Sequence, residues 1–179
     1  CIIDKDKLGG ICLNWGCIPT KALLKNAEVY HTIKHADTYG IKVENVSVDF
    51  KKNIQRSRDI SNRLSKGIEF LMKKNKITHI TGIGKLTSKT SLEVKNKQKT
   101  DTIEADKIIL ATGARPRSFP GMEFDGNRVI SFKEAMILDS PPKKMIIIGS
   151  GAIGSEFAYY YNEFGTEVHM IEMLDRILP

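Results

Sequence analysis

Three cysteines in 179 residues are too few for a secreted disulfide scaffold, and they lack the paired CxxC spacing of a structural zinc site. Aromatic residues make up only 7% of the chain, with a single tryptophan, and proline occurs six times, so a collagen-like or proline-rich disordered chain is excluded. No apolar run approaches the roughly 20 residues that a membrane helix needs, which excludes a helical span. There is also no initiating methionine, no basic n-region and no cleavage-site pattern before Cys1-Ile2-Ile3-Asp4, so the opening reads as the interior of a folded protein. The chain ends equally abruptly at Leu178-Pro179, and a fragment of a longer protein is expected.

What is present is ample for a core: 41% hydrophobic and 27% charged residues in one large domain or two small ones. The formal charge of +7 would suit an acidic partner if it were concentrated on one face. The basic pairs Lys51-Lys52, Lys73-Lys74 and Lys143-Lys144 are instead scattered among acids, so no nucleic-acid partner is expected. The cysteine usage points to a cytoplasmic protein.

Along the chain, Cys1 to Asp4 reads as the end of a buried strand, with Cys1 a small buried hydrophobe, and Gly9-Gly10 as a turn. Pro19 suits a first helical turn, and Leu23, Ala27, Tyr30 and Ile33 continue at helical steps until Gly40. Asp49 is a candidate N-cap for a helix of about 25 residues, with Phe50, Ile54, Leu64, Ile68 and Leu71 on one stripe. Ile77 to Leu86, Ser91 to Lys95 and Thr102 to Glu104 read as strands of a small antiparallel meander, and Lys107 to Leu110 as a further strand. A linker over 115–121, a short helix capped by Ser131 and the Pro141-Pro142 pair follow. Met145 to Ile148, a helix from about Ile153 to Phe164, Gly165 as its stop, and Val168 to Ile171 then make one βαβ unit.

Gly149-Ser150-Gly151-Ala152-Ile153-Gly154 matches G-x-G-x-x-G, a weak pattern alone but specific between a strand and a helix. Gly149 permits the tight turn, Gly151 lets the backbone approach a pyrophosphate, and Gly154 lets the helix pack close to the sheet. The helix N-terminus offers unpaired N–H donors to the anion. Glu172 ends the next strand 18 residues after Gly154, where an acid binds an adenosine ribose, and a carboxylate there favours NAD over NADP.

Cys12 and Cys17 are five residues apart. On a regular helix their Cα atoms would lie roughly 8.7 Å apart, beyond the roughly 7 Å limit for a disulfide, so pairing requires a bent backbone, which Gly16 can supply. A helix beginning near Cys17 would lower a thiol pKa there. A reversible redox couple, two buried free cysteines and half of a zinc site all remain compatible with the spacing.

The whole segment, Gly9-Gly10-Ile11-Cys12-Leu13-Asn14-Trp15-Gly16-Cys17-Ile18-Pro19-Thr20-Lys21, resembles the active-site signature of the class I flavin disulfide oxidoreductases, and within them the branch that oxidises dihydrolipoamide. Ala111-Thr112-Gly113 is similar to that family's second flavin motif, and Gly149 to Glu156 to its G-x-G-x-x-G-x-E turn. The resemblance implies an α/β fold of FAD/NAD(P)-binding Rossmann-like, three-layer domains with a small antiparallel β-meander. It implies a partial FAD-binding domain over 1–141, lacking its first βα unit and glycine turn, and the start of an NAD-binding domain over 142–179. The central and dimer-interface domains, and the general-base histidine they carry, would be absent, leaving the chain inactive by itself. His31, His35, His79 and His169 are read as structural.

By the same resemblance Cys17 is the thiol nearest the flavin and forms the charge-transfer complex, while Cys12 exchanges with the lipoyl sulfur. Asp4 stands at the FAD ribose and Lys21 beside the isoalloxazine. Gly9, Gly10, Gly84, Thr112 and Gly113 match FAD-contacting backbone. Glu156 corresponds to the acid near the nicotinamide, and Glu172 to the NAD ribose acid. FAD and NAD are the implied cofactors, with no metal. The implied partners are lipoyl domains of 2-oxo acid dehydrogenase complexes or of the glycine cleavage system, and a second copy in a homodimer. Another NAD(P)H-dependent disulfide or mercuric reductase, or a non-catalytic nucleotide-binding remnant, are the alternatives.

Overall fold

The computed structural model describes residues 1–178. Strand β1 (Ile2–Asp4) leads through the left-handed Gly9 and Gly10 into a short helix α1 (Gly10–Trp15), followed by α2 (Cys17–Lys34) and a 3-10 turn over Ala36–Tyr39. Helix α3 (Phe50–Lys74) opens as expected on Asp49, whose carboxylate accepts from the Lys52 N–H at 2.9 Å. The next segment departs from the expectation of one strand. It is split at Gly82 into β2 (His79–Thr81), which pairs parallel with β1, and β3 (Ile83–Leu86), which joins β4 (Ser91–Lys95) and β5 (Thr100–Glu104) in an antiparallel meander. A Cβ at Gly82 would sit 2.8 Å from both Lys95 O and Val94 Cγ1, so the chain can change sheets there only by passing close to β4.

Lys107 to Leu110 forms no strand. Ile109 is 91% and Leu110 68% exposed, and among the described residues no hydrogen bond ties 106–118 to the rest of the molecule. An apolar run becomes a strand only where a neighbour accepts its backbone, and neither β1 nor β2 reaches it. Cys1 likewise is exposed, because it precedes the first paired residue of β1 and nothing packs over it.

A four-residue helix α4 (Phe132–Ala135) starts on Ser131, with Glu134 reaching back to the Ser131 N–H at 2.8 Å in a capping box. Strand β6 (Lys144–Ile148), helix α5 (Ala152–Glu163) and β7 (Glu167–Ile171) then form the βαβ unit, β6 and β7 pairing parallel with Met145 opposite Val168. Gly165, at φ 89°, ends α5 in the left-handed region as expected.

The core is shared between the two ends of the chain. Leu23 and Ala27 of α2, Phe50 and Ile54 of α3, Met136, and Phe157, Tyr160 and Tyr161 of α5 are buried together. Edge-to-face packing of Phe50 on Phe164 and stacking of Tyr30 on the same ring, at 5.5 and 5.3 Å between centroids, hold the end of α5 against α3 and α2. The buried stripe of α3 differs from the expected one. Phe50 and Ile54 face inward, but below them it is Ser57, Ser61 and Ser65 that are buried, while Leu64 and Leu71 are exposed.

Candidate functional site

The cysteines meet because the helix breaks between them. Gly16 carries φ −136° and ψ −121°, a turn that ends α1 and begins α2, and it brings the Cys12 and Cys17 Cα atoms to 4.7 Å with the two sulfurs joined in a disulfide. A side chain would crowd the break, since a Cβ on Gly16 would lie 3.0 Å from Ile11 O and 3.1 Å from Cys12 Cα and the backbone there would have to give by a few tenths of an ångström. Both cysteines are exposed, and Cys17 is the first residue of an 18-residue helix. The positive end of that helix favours a thiolate at Cys17 once the disulfide opens.

The segment is held from beneath by polar side chains. Asn14, buried in α1, donates from Nδ2 to Leu8 O and Gly10 O, each at 3.0 Å, and so fixes the Gly9-Gly10 turn. Ser65 and Ser57 of α3 donate to Leu8 O and Pro19 O at 2.9 Å, and Ser61 donates to Leu13 O. Arg58 donates to Asn14 O and stacks over the Trp15 ring, its guanidinium carbon 4.4 Å from the centroid. Burial lowers the Arg58 pKa from its usual value.

Lys21, one turn beyond Cys17, is paired with Glu156 of α5. This ion pair joins the cysteine helix to the helix that follows the second glycine turn, and it brings together two residues that lie 135 positions apart. Asp4 ends β1 as expected, and its carboxylate accepts from the Asp6 N–H at 3.0 Å. Gly84 sits in β3 with only ordinary contacts around it, Leu92 at 3.5 Å and Ile3 at 3.6 Å from a built Cβ. Thr112 and Gly113 are exposed in the segment without regular structure, Gly113 at φ 76°, and are not tied by hydrogen bonds to the cysteine segment.

In the second glycine turn Gly149 adopts φ 100° and donates to Ile171 O at 2.8 Å. Gly151 caps α5 with open space around it: a Cβ there meets nothing within 4 Å. Gly154 is the opposite case, its Cβ position falling onto the Gly149 carbonyl oxygen and 3.2 Å from Ile147 Cγ2. Glu172 accepts from the Ser150 N–H and hydroxyl, both at 2.8 Å, and from the Met173 and Leu174 N–H groups at 2.7 and 3.0 Å. Hydrogen bonds from the backbone of Leu174 and Ser150 and from the Ser150 hydroxyl hold its pKa down at about 2.

Three of the four histidines have a partner: His31 with Glu163 at 3.0 Å, His35 with His31 O at 2.8 Å, and His169 with Glu167 at 2.9 Å. Among the described residues there is no group of three metal-ligating side chains, and no helix is long and apolar enough to cross a membrane.

Sequence reasoning missed Ser150, Asn14, Arg58 and the serines of α3. The last were signalled by their four-residue spacing in register with Ile54, which places them on the core face where a polar residue needs a partner.

A surface disulfide at the start of α2, a helix joined by the Lys21–Glu156 ion pair to the helix that follows a G-x-G-x-x-G turn, defines a dithiol–disulfide protein of α/β fold. The chain belongs to the pyridine nucleotide-disulphide oxidoreductases, whose family model matches residues 1–179. Among curated proteins it is 44% identical over 180 residues to the dihydrolipoyl dehydrogenase of Chlorobaculum parvum, a match covering 100% of this chain and 38% of that one. It is 45% identical over 179 residues to the dihydrolipoyl dehydrogenase of Zymomonas mobilis, covering 99% and 38%. The crystal structure of LpdA from Mycobacterium tuberculosis superposes with a TM-score of 0.90 at 27% identity, over 99% of this chain and 39% of that one. The chain thus spans about two-fifths of the length of the relatives it matches.

Proposed function

We propose that the protein carrying this chain is a flavin-dependent disulfide oxidoreductase that oxidises protein-bound dihydrolipoamide with NAD. The observation that carries this reading is the exposed Cys12–Cys17 disulfide, closed across a helix break with Cys17 at the positive end of α2. The names of the curated relatives support the substrate. In this reading residues 1–141 belong to an FAD-binding domain and 142–179 to the start of an NAD-binding one, with a homodimer, lipoyl domains as partners and the cytoplasm as location.

A thiolate of the reduced lipoyl group attacks Cys12 Sγ, the Sγ–Sγ bond breaks, and Cys17 leaves as a thiolate stabilised by the α2 N-terminus. The second lipoyl thiol then displaces Cys12, which closes the lipoyl disulfide and leaves the pair as Cys12 thiol and Cys17 thiolate. Two electrons and two protons have left the substrate. Bound FAD would accept that electron pair and bound NAD would carry it away as hydride.

The residues of the second glycine turn suit NAD. Open space at Gly151 and the unpaired N–H groups of α5 suit a pyrophosphate, and the ionised Glu172 suits ribose hydroxyls, with Met173 and Leu174 the donors a ribose would replace. Asp4, Gly9, Gly10, Gly84, Thr112 and Gly113 would hold FAD, Lys21 would stand beside its ring system, and Glu156 would face the nicotinamide. The Lys21–Glu156 pair keeps these two positions together.

The test uses the full-length protein with FAD. Dihydrolipoamide with NAD should turn over far faster than glutathione disulfide or mercuric ion is reduced by NADH or NADPH. Replacing Cys12 or Cys17 by serine should abolish turnover by at least a thousandfold while FAD stays bound. Equal turnover of glutathione disulfide, or an active Cys12→Ser variant, would sink the assignment.

A further inference from the structure

The break at Gly16 leaves two carbonyls at the end of α1 without the partners a continuous helix would provide. In an uninterrupted helix Leu13 O would accept from the Cys17 N–H and Asn14 O from the Ile18 N–H. Among the described residues neither bond is made. Both carbonyls are instead taken by α3: Ser61 Oγ donates to Leu13 O and Arg58 Nη2 to Asn14 O. Ser61 is 1% exposed, so its donor has no water to fall back on, and Arg58 is pinned flat by Trp15.

We propose that Ser61 and Arg58 are positioning residues that hold the α1–α2 break in place when Cys12 and Cys17 are both reduced, and so set the dithiol–disulfide equilibrium of the pair. The disulfide itself enforces the break in the oxidised protein. Once it is reduced, these side chains, together with Pro19, which has no N–H to give the Trp15 carbonyl, oppose the merger of α1 and α2 into one helix, which would satisfy the Leu13 and Asn14 carbonyls internally and draw the Cα atoms apart to roughly 8.7 Å. That exceeds the roughly 7 Å over which two cysteines can be bridged. Ser61 and Arg58 give the same carbonyls better placed donors in the broken form. The dithiol is therefore kept near the geometry of the disulfide, whose Cα atoms are 4.7 Å apart, ready to close. This inference rests on the reading of Cys12 and Cys17 as a redox couple.

The test equilibrates the full-length protein with mixtures of reduced and oxidised glutathione, traps free thiols with iodoacetamide, and measures the mass of the peptide spanning the two cysteines. One glutathione thiolate breaks the Sγ–Sγ bond and forms a mixed disulfide. A second releases it as glutathione disulfide, and two protons are taken up by the freed cysteines. Ser61→Ala should shift the equilibrium about tenfold toward the dithiol, equivalent to about 30 mV for this two-electron couple. Ser61→Thr, which keeps the hydroxyl, should restore the wild-type constant to within about twofold.

Ser57→Ala is the control for mere packing. It deletes a buried hydroxyl of the same helix, whose bond to Pro19 O lies inside α2 beyond the break, and should leave the constant unchanged. Arg58→Lys, which loses the fork that reaches Asn14 O, should shift it the same way by about threefold and serves if Ser61→Ala does not fold. A Ser61→Ala constant within twofold of wild type, or an equal shift in Ser57→Ala, would overturn the inference while leaving the redox couple intact. A wild-type pair that never cycles in these buffers would overturn both.

Discussion

Substituting alanine at the second and third glycines of Gly149 to Gly154 separates a glycine kept for a ligand from one kept for packing. At Gly154, inside α5, the added methyl falls on the Gly149 carbonyl oxygen, with Gly149 C and Ile147 Cγ2 each at 3.2 Å. The nearest atoms are backbone and cannot rotate away, so the helix must lift off β6. Overpacking of this kind costs about 1–3 kcal/mol, and the immobile carbonyl argues for about 3. The gain from alanine over glycine in a helix interior returns about 1 kcal/mol, so the net loss is about 2 kcal/mol. For a full-length protein about two and a half times as long as this chain, that corresponds to a fall in Tm of about 2 °C.

At Gly151 the same methyl meets nothing within 4 Å and φ is −64°, so alanine fits the free protein at a cost below about 1 kcal/mol. It should occupy the space that a pyrophosphate needs, and weaken NAD binding at least about tenfold, or about 1.4 kcal/mol. The assay is thermal unfolding of the full-length protein by circular dichroism, supported by amide hydrogen exchange at Tyr160 and Tyr161 to read α5 locally, and calorimetric titration with NAD. Gly154→Ala melting within 1 °C of wild type would refute the packing argument. Gly151→Ala binding NAD normally would refute the ligand argument.

Two further outcomes follow from the geometry. Glu172 is held at about 2, below its usual carboxylate value, so its stabilising bonds to Ser150, Met173 and Leu174 are fully present above about pH 4.5 and are lost as the pH falls through about 2. Glu172→Gln should therefore flatten the acid dependence of protection at the β7 end, measured by hydrogen exchange at pH 6 and pH 3, and an unchanged slope would contradict it. The adjacent tyrosines of α5 should diverge: Tyr161 donates to the buried Ala135 O, whereas the Tyr160 hydroxyl is buried with no partner among the described residues. Tyr161→Phe should cost about 1–3 kcal/mol and Tyr160→Phe less than about 0.5 in denaturant unfolding; equal losses would show that the hydroxyl bond is not what distinguishes them.

The βαβ unit was legible in the residues because everything that defines it is local. Strand, glycine turn, helix and Gly165 stop lie within 30 consecutive positions, and each obeys its own backbone rule. The caps at Asp49 and Ser131 are local in the same way. The expected strand at Lys107 to Leu110 failed because a strand is a property of two segments, and an apolar run carries no record of whether a neighbour is beside it. The stripe on α3 failed for a related reason. Hydrophobic periodicity marks a face that can be buried, but what α3 packs against is a ladder of carbonyls, and these select serine.

The sequence by itself determined the spacing of the residues to which the proposed function assigns the chemistry: two cysteines with a glycine between them, a lysine one turn on, a glycine turn and an acid 18 residues past it. Those are covalent spacings, and the backbone conformations they require follow from sterics alone. Only the tertiary structure decided that Lys21 meets Glu156, that Ser150 and two turn amides hold Glu172 ionised, and that Ser61 and Arg58 take the carbonyls exposed at the break. Such pairings depend on how whole helices are packed, and a buried donor finds its acceptor only after hydrophobic burial has brought distant segments together.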